Sequence, residues 1–450
     1  MAYIGNTPGD KYLTLEKQVF TTSATDTYVL DREVSGVNDI ELFLNNVRQE
    51  PTEAYTISGT TLTLASPITA SDSMYCIYQG RSVGTQAPAT GSVTNAMLAG
   101  SISPSKVSNL YPYRNLIING DMSIAQRGTS FDATQNYKID RFRFNHTSYG
   151  FDATLSQSTD VPTGQGFGKS LKFNCTTASS VSASGYIFIG QKMEGQMLQH
   201  LKKGTSNAES LTCSFWVKSN KTGTYVVELY DVDNVRQISK SYTINSANTW
   251  EKKTLTYDGD TTGAFDNDNA QSLQLNFWLS AGTNFSSGTL NTSWNSNTNT
   301  NRAVGIVNIT DSTSNYINIT GVQLEVGTTA SDFEFLPYDV NLQRCKRYYQ
   351  TLHQITGVAS GSTDWRGIAG LYPEMRATVS LSATGNIEIS DCYAADLTST
   401  GTSVNVINNT GSNKRVFVQM TSFSGMTSGR IYFANRYHTN DNYIEADAEL

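Results

Sequence analysis

Three short stretches of this sequence gather carboxylates closely enough for acid–base or metal chemistry: Asp231-Val232-Asp233-Asn234, Asp258-Gly259-Asp260 and Asp266-Asn267-Asp268-Asn269. Paired acids cleave glycosidic bonds, one protonating the leaving oxygen while the other attacks or activates water. Clustered carboxylate and carbonyl oxygens also suit calcium. Each stretch, however, lies in a turn-like segment between strand-like runs, where Asp and Asn are ordinary turn formers, and the turn reading is preferred. None follows the twelve-residue calcium loop with its central Gly and terminal Glu, so no cofactor is expected and calcium is left as an alternative. His146, His200, His353 and His438 are too far apart in sequence to suggest a triad or a metal cluster. GxSxG, HExxH and P-loop patterns are absent. The expectation is a protein that is not an enzyme.

The other residues with chemistry to offer are aromatic. Sugar recognition stacks apolar sugar faces on exposed rings, flanked by Asn, Asp and Arg that hydrogen-bond hydroxyls. Trp216 and Trp278 fall out of phase with the apolar positions of their strands, so each faces outward or is buried between sheet and loop. Burial is preferred, because a large aromatic seldom stays exposed without reason. Toward the end of the chain Trp365-Arg366, Tyr372, Arg436-Tyr437-His438 and Tyr443 occur near expected loops, where binding residues concentrate. These seven residues are the candidate receptor-binding set.

The elements that must position these groups are β-strands. The 450 residues suggest about three domains. Gly 35, Tyr 24 and Phe 18 beside only 16% charged residues make a turn-rich, β-rich composition. A formal net charge of -7 gives no basic stripe for nucleic acid. The N-terminal stretch lacks a signal-peptide pattern and no apolar run is long enough to span a bilayer, so a soluble product of the cytosol with no membrane insertion is expected. Cys76, Cys175, Cys213, Cys345 and Cys392 are scattered, with no CxxC pair, as small buried apolar residues would be.

Along residues 1–80 short alternating runs at Thr27 to Leu30, Ile40 to Leu44, Tyr55 to Ile57, Thr61 to Leu64 and Met74 to Tyr78 predict a small β-domain, with a hairpin at Asn45-Asn46. Residues 81–110 are a Gly/Ser/Pro-rich linker or neck. Within it Gly91-Ser92-Val93-Thr94-Asn95-Ala96-Met97-Leu98-Ala99 aligns with Gly100-Ser101-Ile102-Ser103-Pro104-Ser105-Lys106-Val107-Ser108, a near-repeat whose few apolar side chains need partner chains to be buried. In 111–340 period-two alternation at Leu211 to Val217, Tyr225 to Tyr230 and Leu273 to Leu279 predicts an antiparallel sandwich. Met197, Leu198 and Leu201 predict one helical piece stopped at Gly204, and a second helix is expected from Val340 to Tyr349. Residues 341–450 return to strands at Thr378 to Leu381, Ile387 to Ile389, Val404 to Ile407, Val416 to Met420 and Arg430 to Ala434, a smaller sandwich.

One stretch is more specific than a pattern. Asn115-Leu116-Ile117-Ile118-Asn119-Gly120-Asp121-Met122-Ser123-Ile124-Ala125-Gln126-Arg127-Gly128, followed by Ile139-Asp140-Arg141-Phe142, resembles the first strands of a jelly-roll module, similar to carbohydrate-binding modules, that recurs in bacteriophage tail fibres. Ser214 to Ser219, Gly282 to Phe285 with Thr289, Leu290 and Trp294, Ile319 to Gly327, Phe333 to Tyr338 and Cys345 to Gln350 match its later parts, and the block covers about half the chain. The N-terminal domain with Val83 to Val107 resembles the virion-attachment end of such fibres, and Pro373-Glu374-Met375-Arg376-Ala377-Thr378 resembles the tip domain that often follows.

The resemblance implies an all-β modular fibre on the phage tail, made in the host cytoplasm. It implies a homotrimer, with residues 1–80 held by a tail adaptor and the C-terminal β-domains binding a host glycan or outer-membrane receptor. It also makes Trp294 a structural plug. A structural fibre or adaptor of tail or capsid is the alternative, and a capsule depolymerase the third reading. Spikes of the last kind usually carry long parallel β-helices, and no ladder of similar rungs occurs here.

Overall fold

The computed structural model describes residues 15–79 and 114–450, apart from 148, 354, 385–386, 392–396, 399–403, 407–412 and 435–442. The 81–110 linker with its near-repeat, Cys392, and Arg436, Tyr437 and His438 lie outside the described residues. The chain divides into two units, Met1–Asn109 and Leu110–Leu450. No helix among the described residues is long and apolar enough to cross a membrane.

In the first unit a four-stranded sheet, in the order Lys17–Phe20, Met74–Tyr78, Ile40–Leu44, Val47–Arg48, shares one core with a three-stranded sheet of Thr27–Val29, Thr61–Leu64 and Tyr55–Ser58. Alternation decides which residues enter that core: Leu42, Leu62, Met74 and Cys76 are buried, while Val19 and Val29 on the opposite faces are exposed. Asn45 and Asn46 turn the hairpin with φ of 50° and 63°, the left-handed conformation that Asn tolerates best after Gly.

The second unit is built on two facing sheets. A seven-stranded sheet runs Asn295–Ser296, Arg236–Ile244, Gly223–Asp231, Gln271–Ala281, Tyr186–Glu194, Arg143–Thr147, Asn136–Tyr137. A six-stranded sheet runs Glu251–Tyr257, Leu211–Ser219, Tyr316–Val326, Ser170–Thr177, Asp152–Ser158, Ser130–Asp132. Every pairing is antiparallel, and the alternating apolar positions, among them Phe144, Ile189, Phe215, Leu229, Phe277 and Leu324, fill one core between the sheets. Leu211 to Val217, Tyr225 to Tyr230 and Leu273 to Leu279 all lie within observed strands, as alternation predicted. Beyond residue 348 a three-stranded sheet and a second seven-stranded sheet enclose a further core of Trp365, Val418, Ile444 and their neighbours. The protein is nearly all β.

Three expectations change. The Met197 to Leu201 segment is two 3-10 turns, Gly195–Met197 and Gln199–Leu201, ended by Lys202 in the left-handed region; the amides of Leu198, Leu201 and Lys202 each bond three residues back, not four. The second helix spans Tyr338–Lys346, because Tyr348 and Tyr349 are drawn into buried positions and Tyr349 opens a strand. The 115–128 block, expected as strands, is a buried turn. Its asparagines make backbone hydrogen bonds that a strand would otherwise supply. Asn115 takes the amides of Ile117 and Leu324 on its oxygen and donates to the Val322 carbonyl. Asn119, at φ 60°, accepts from the Ile124 amide and donates to the carbonyls of Ile124 and Asp140. Directly after Asn119, Gly120 passes so close to the Val322 carbonyl that a Cβ would collide with it.

This turn also receives the end of the described chain. Arg141, itself at φ 72°, is fully buried, lies over the Tyr348 ring at 3.4 Å, donates to the Lys192 carbonyl at 2.7 Å and pairs with Glu449. Arg127 pairs with Glu449 at 3.3 Å and Asp447 at 3.2 Å, and stacks on Tyr349 at 3.6 Å. A non-glycine residue in the left-handed region costs about 1 kcal/mol, which this set of contacts outweighs. Removing one partner of a buried ion pair leaves the other charged and undersolvated, a cost of roughly 3–5 kcal/mol. Arg141→Met is therefore expected to lower unfolding stability by about that amount in urea titration, and Arg141→Met with Glu449→Met to recover much of it. A double variant no better than the single one would show that the pair is not the cause.

Candidate functional site

Of the seven residues expected to meet a receptor, the structure separates more than it gathers. Trp365 is a correction: it is fully buried, its indole N–H donating to the Tyr432 carbonyl at 3.2 Å. The run Trp365-Arg366-Gly367-Ile368-Ala369 alternates, and the indole occupies room left by Gly367 and by Gly357 on the neighbouring strand. Arg366 and Tyr372 stay exposed on the opposite face, beside Ile368 (54% exposed) and Ile431 (53%), with the Tyr372 ring against Gly370. Tyr443 is on a different sheet, half-buried, 5.7 Å from the His353 ring. A separate groove of about 680 Å³ is lined by Met197, Asp339, Arg344, Arg347, Pro373 and Glu374, among others.

The acidic stretches are structural. Asp231 and Asp260, from two of them, converge on one ammonium: Lys203 Nζ lies 2.6 Å from Asp231 and 3.1 Å from Asp260, and donates to the carbonyls of Thr262 and Gly263 at 2.8 and 2.7 Å. Two carboxylates and two carbonyls make an all-oxygen shell of the kind a hard cation takes, filled here by the chain's own amine. Arg236 adds a two-point pair to Asp260, and Asp233 accepts from the Asp266 amide. Trp294 closes the site from outside, its indole donating to the Asp258 carbonyl at 2.7 Å and its ring 5.7 Å from Lys203. Among the described residues no three His, Cys, Asp or Glu side chains group to hold a metal. Cys76, Cys175, Cys213 and Cys345 are buried free thiols.

The surface that combines exposed rings with hydrogen-bonding groups is the outer face of the first seven-stranded sheet, opposite the core. Cross-strand register fixes its rows: Asn145, Phe188, Trp278 and Val226 in one, Arg143, Gly190, Asn276 and Glu228 in the next, Lys192, Gln274 and Tyr230 in a third. One side of this face is covered by residues 282–309. Arg302 from that segment grips Glu228 at 2.7 and 2.8 Å, Glu228 accepts from the Trp278 indole at 3.1 Å, and Ser239 donates to the Arg302 carbonyl at 2.9 Å. Trp278 is thus buried between sheet and loop, as its phase suggested. On the other side Tyr137 and Lys192 both donate to the Leu450 carbonyl at 2.7 Å.

Between these two covers lies a half-exposed strip. Tyr186 and Phe188 stand on it stacked, centroids 5.5 Å apart and planes 18° from parallel, with Trp278 below Phe188 at 5.2 Å. Arg143, Lys192, Gln274 and Tyr230 line the rest, and Gly190 makes room for the Asn276 side chain and the Leu275 carbonyl, both of which a Cβ there would strike. From the Arg143 strand to the Tyr230 strand is three inter-strand steps, about 14 Å. Lys192 has its pKa pushed down to about 8, by burial first and then by Arg143 and Arg141. The sequence reading missed this strip. Its signal was the same alternation that located the core, with aromatic and cationic residues at the out-of-phase positions of Arg143-Phe144-Asn145 and Tyr186-Ile187-Phe188.

No family model and no curated protein matches the sequence. Among solved structures, similar ones include the enzymatically active domain of bacteriophage CBA120 tailspike protein 4, 17% identical over 48% of this chain and 22% of that one, with a TM-score of 0.27. A CBM4 carbohydrate-binding module is 14% identical over 46% of this chain and 98% of its own length, TM-score 0.25. A family 11 carbohydrate-binding module of a Clostridium thermocellum cellulosomal cellulase is 11% identical over 44% of this chain and 95% of its own, TM-score 0.23. This chain thus spans under a quarter of the length of the tailspike chain.

Burial works against the charge of Asp260, yet Arg236 and Lys203 hold its carboxyl below the ordinary carboxylate value. A folded-state pKa below the unfolded one gives stability that is present above the unfolded value, about 3.9 for Asp, and is lost as pH falls through the folded value. Lys203→Met should cost roughly 3–5 kcal/mol at neutral pH. The deficit against wild type in urea unfolding should shrink below about pH 4, as the carboxyl becomes neutral in both proteins. A deficit constant down to pH 2 would mean that lost packing, not charge, is responsible.

Proposed function

We propose that this chain is a bacteriophage tail-fibre subunit whose central sandwich binds a host-surface glycan. The observation that carries the glycan reading is the half-exposed Tyr186–Phe188 pair beside Arg143, Gln274 and Tyr230 on an otherwise covered sheet face. Stacked rings take the apolar face of a sugar, and the flanking donors and acceptors take its hydroxyls. The fibre part of the reading is supported by the 115–128 block and its companion motifs, which resemble recurring fibre modules.

In this reading residues 1–80 attach to a tail adaptor, the subunit is a homotrimer, and its place is the virion tail after synthesis in the host cytoplasm. Arg366 and Tyr372, exposed together on the terminal sheet, form a second receptor-facing surface. The protein works by binding and not by catalysis, and without a cofactor. Support comes from the engagement of the conspicuous acids Asp231 and Asp260 by Lys203 and Arg236.

Each stacked ring contributes about 1 kcal/mol beyond its buried area, so Tyr186→Ala with Phe188→Ala should weaken binding of host polysaccharide about tenfold or more in affinity electrophoresis. The far-ultraviolet circular dichroism should be unchanged. Full retention of binding by a folded double variant would reject the strip, and a monomeric native mass for the full chain would reject the trimer.

A further inference from the structure

The charge on the strip says more than that a sugar binds. The five central strands of the sheet, Arg236–Ile244, Gly223–Asp231, Gln271–Ala281, Tyr186–Glu194 and Arg143–Thr147, carry three acids, Glu194, Glu228 and Asp231. All three are engaged by cations. Glu194 holds Arg347 through two hydrogen bonds of 3.0 and 2.8 Å, Glu228 holds Arg302, and Asp231 holds Lys203. The buried arginines next to the strip are matched as well: Arg127 by Asp140, Asp447 and Glu449, and Arg141 by Glu449.

Arg143 is not matched. It has no acidic partner among the described residues, and it stands half-exposed on the outer face opposite Gly190, over which the side chain of Asn276 lies. Lys192, two residues along the same neighbouring strand, donates to the backbone oxygen of Leu450 at 2.7 Å. Burial first, and then the neighbouring Arg143 and Arg141, push its pKa down to about 8, with Glu449 acting in the opposite direction. A protein with a formal net charge of -7 thus leaves one arginine uncompensated beside its half-exposed rings. A planar guanidinium in that position matches the geometry of a carboxylate or another oxyanion.

We infer that the ligand of this strip is an acidic polysaccharide, whose anionic groups are taken by Arg143 with Lys192 while sugar faces rest on Tyr186 and Phe188. This rests on the glycan reading above and narrows it to one chemical class. Neutral glycans offer Arg143 hydroxyls but no charge to match its own, and a polyanion without sugar rings that present apolar faces does not use the stacked pair.

The test is affinity electrophoresis of the full chain in gels containing polygalacturonate, its fully methyl-esterified form, dextran sulfate or neutral dextran, with single-stranded DNA as a further polyanion. The expected result is retardation by polygalacturonate, dextran sulfate or both, at least tenfold stronger than by the ester or by dextran. Retardation by only one of the two acidic polymers assigns the anion as carboxylate or sulfate. Arg143→Gln should weaken acidic retardation about tenfold, Arg143→Lys should restore part of it, and Tyr186→Ala should weaken it without changing the charge. Equal retardation by polygalacturonate and its ester, or no effect of Arg143→Gln in a protein of unchanged thermal midpoint, would overturn the acidic assignment and leave the glycan reading standing. DNA retardation equal to that by the acidic polysaccharides would overturn it too. Binding to none of the polysaccharides, acidic or neutral, would remove the glycan reading itself.

Discussion

The buried closure of Arg127 and Arg141 on Glu449 is the contact on which the second unit depends most. It joins the turn that opens the central sandwich to the final strand of the terminal one, across 308 residues between Arg141 and Glu449. The cluster holds by charge more than by saturation of its hydrogen bonds, since Arg127 Nη1, Arg141 Nε and Glu449 Oε1 are buried without a hydrogen-bond partner. Here the Lys192 carbonyl and the Tyr348 and Tyr349 rings supply the surroundings. Holding Glu449 there also sets Leu450 against Tyr137 and Lys192, which builds one wall of the exposed strip. The same interaction therefore fixes both the joint between the sandwiches and an edge of the candidate site.

The opposite wall follows from a second buried acid. Glu228 lies at the centre of a sheet face that would otherwise be open, and an isolated carboxylate there would be costly. Residues 282–309 bring Arg302 to it, and the indole of Trp278 and the amide of Asn276 complete its hydrogen bonds. With the charge satisfied, the loop can bury Trp278 against Phe285 and Val226. What remains uncovered is narrow, so the few side chains on it are defined by what the two covers leave, and Tyr186 and Phe188 are half-exposed at the margin of the loop, whose Phe285 meets the Tyr186 ring edge-on at 5.3 Å.

The strands were readable because alternation in an antiparallel sandwich reports burial directly, as in Leu273 to Leu279 and Ile40 to Leu44. The Asn45-Asn46 hairpin was readable because left-handed backbone narrows the residue choice. The 115–128 block was recognisable as a motif but not as a turn, since Asn115 and Asn119 bond with backbone groups some five to two hundred residues away, which local pattern does not encode. Trp365 was misread for a related reason: its neighbours Arg366 and Tyr372 suggested a surface, whereas Gly357 and Gly367 reserve interior volume for the indole. The strip was missed because Arg143 and Phe188 become notable only through register, which sets them beside Gly190 and Asn276 from strands far apart in sequence.

Charge matching separates the polar groups of this protein more sharply than exposure does. Lys203, Arg236, Arg302, Arg347, Arg127 and Arg141 each meet carboxylates at short range, and each ties a loop or terminal segment to a sheet. Such cations are consumed by the fold, and changing them changes stability. Arg143 performs no comparable task, yet it occupies a sheet face where an uncharged side chain would pack with less desolvation cost. Half-burial of an unmatched guanidinium lowers stability unless something outside the fold completes it. The face on which it sits also carries the stacked rings that the covering loop leaves half-exposed, so charge and apolar surface are incompletely filled at the same place. Two independent deficits in one strip are what a binding surface requires, and the covered remainder of the sheet shows how readily this chain fills such deficits where no ligand is to be held.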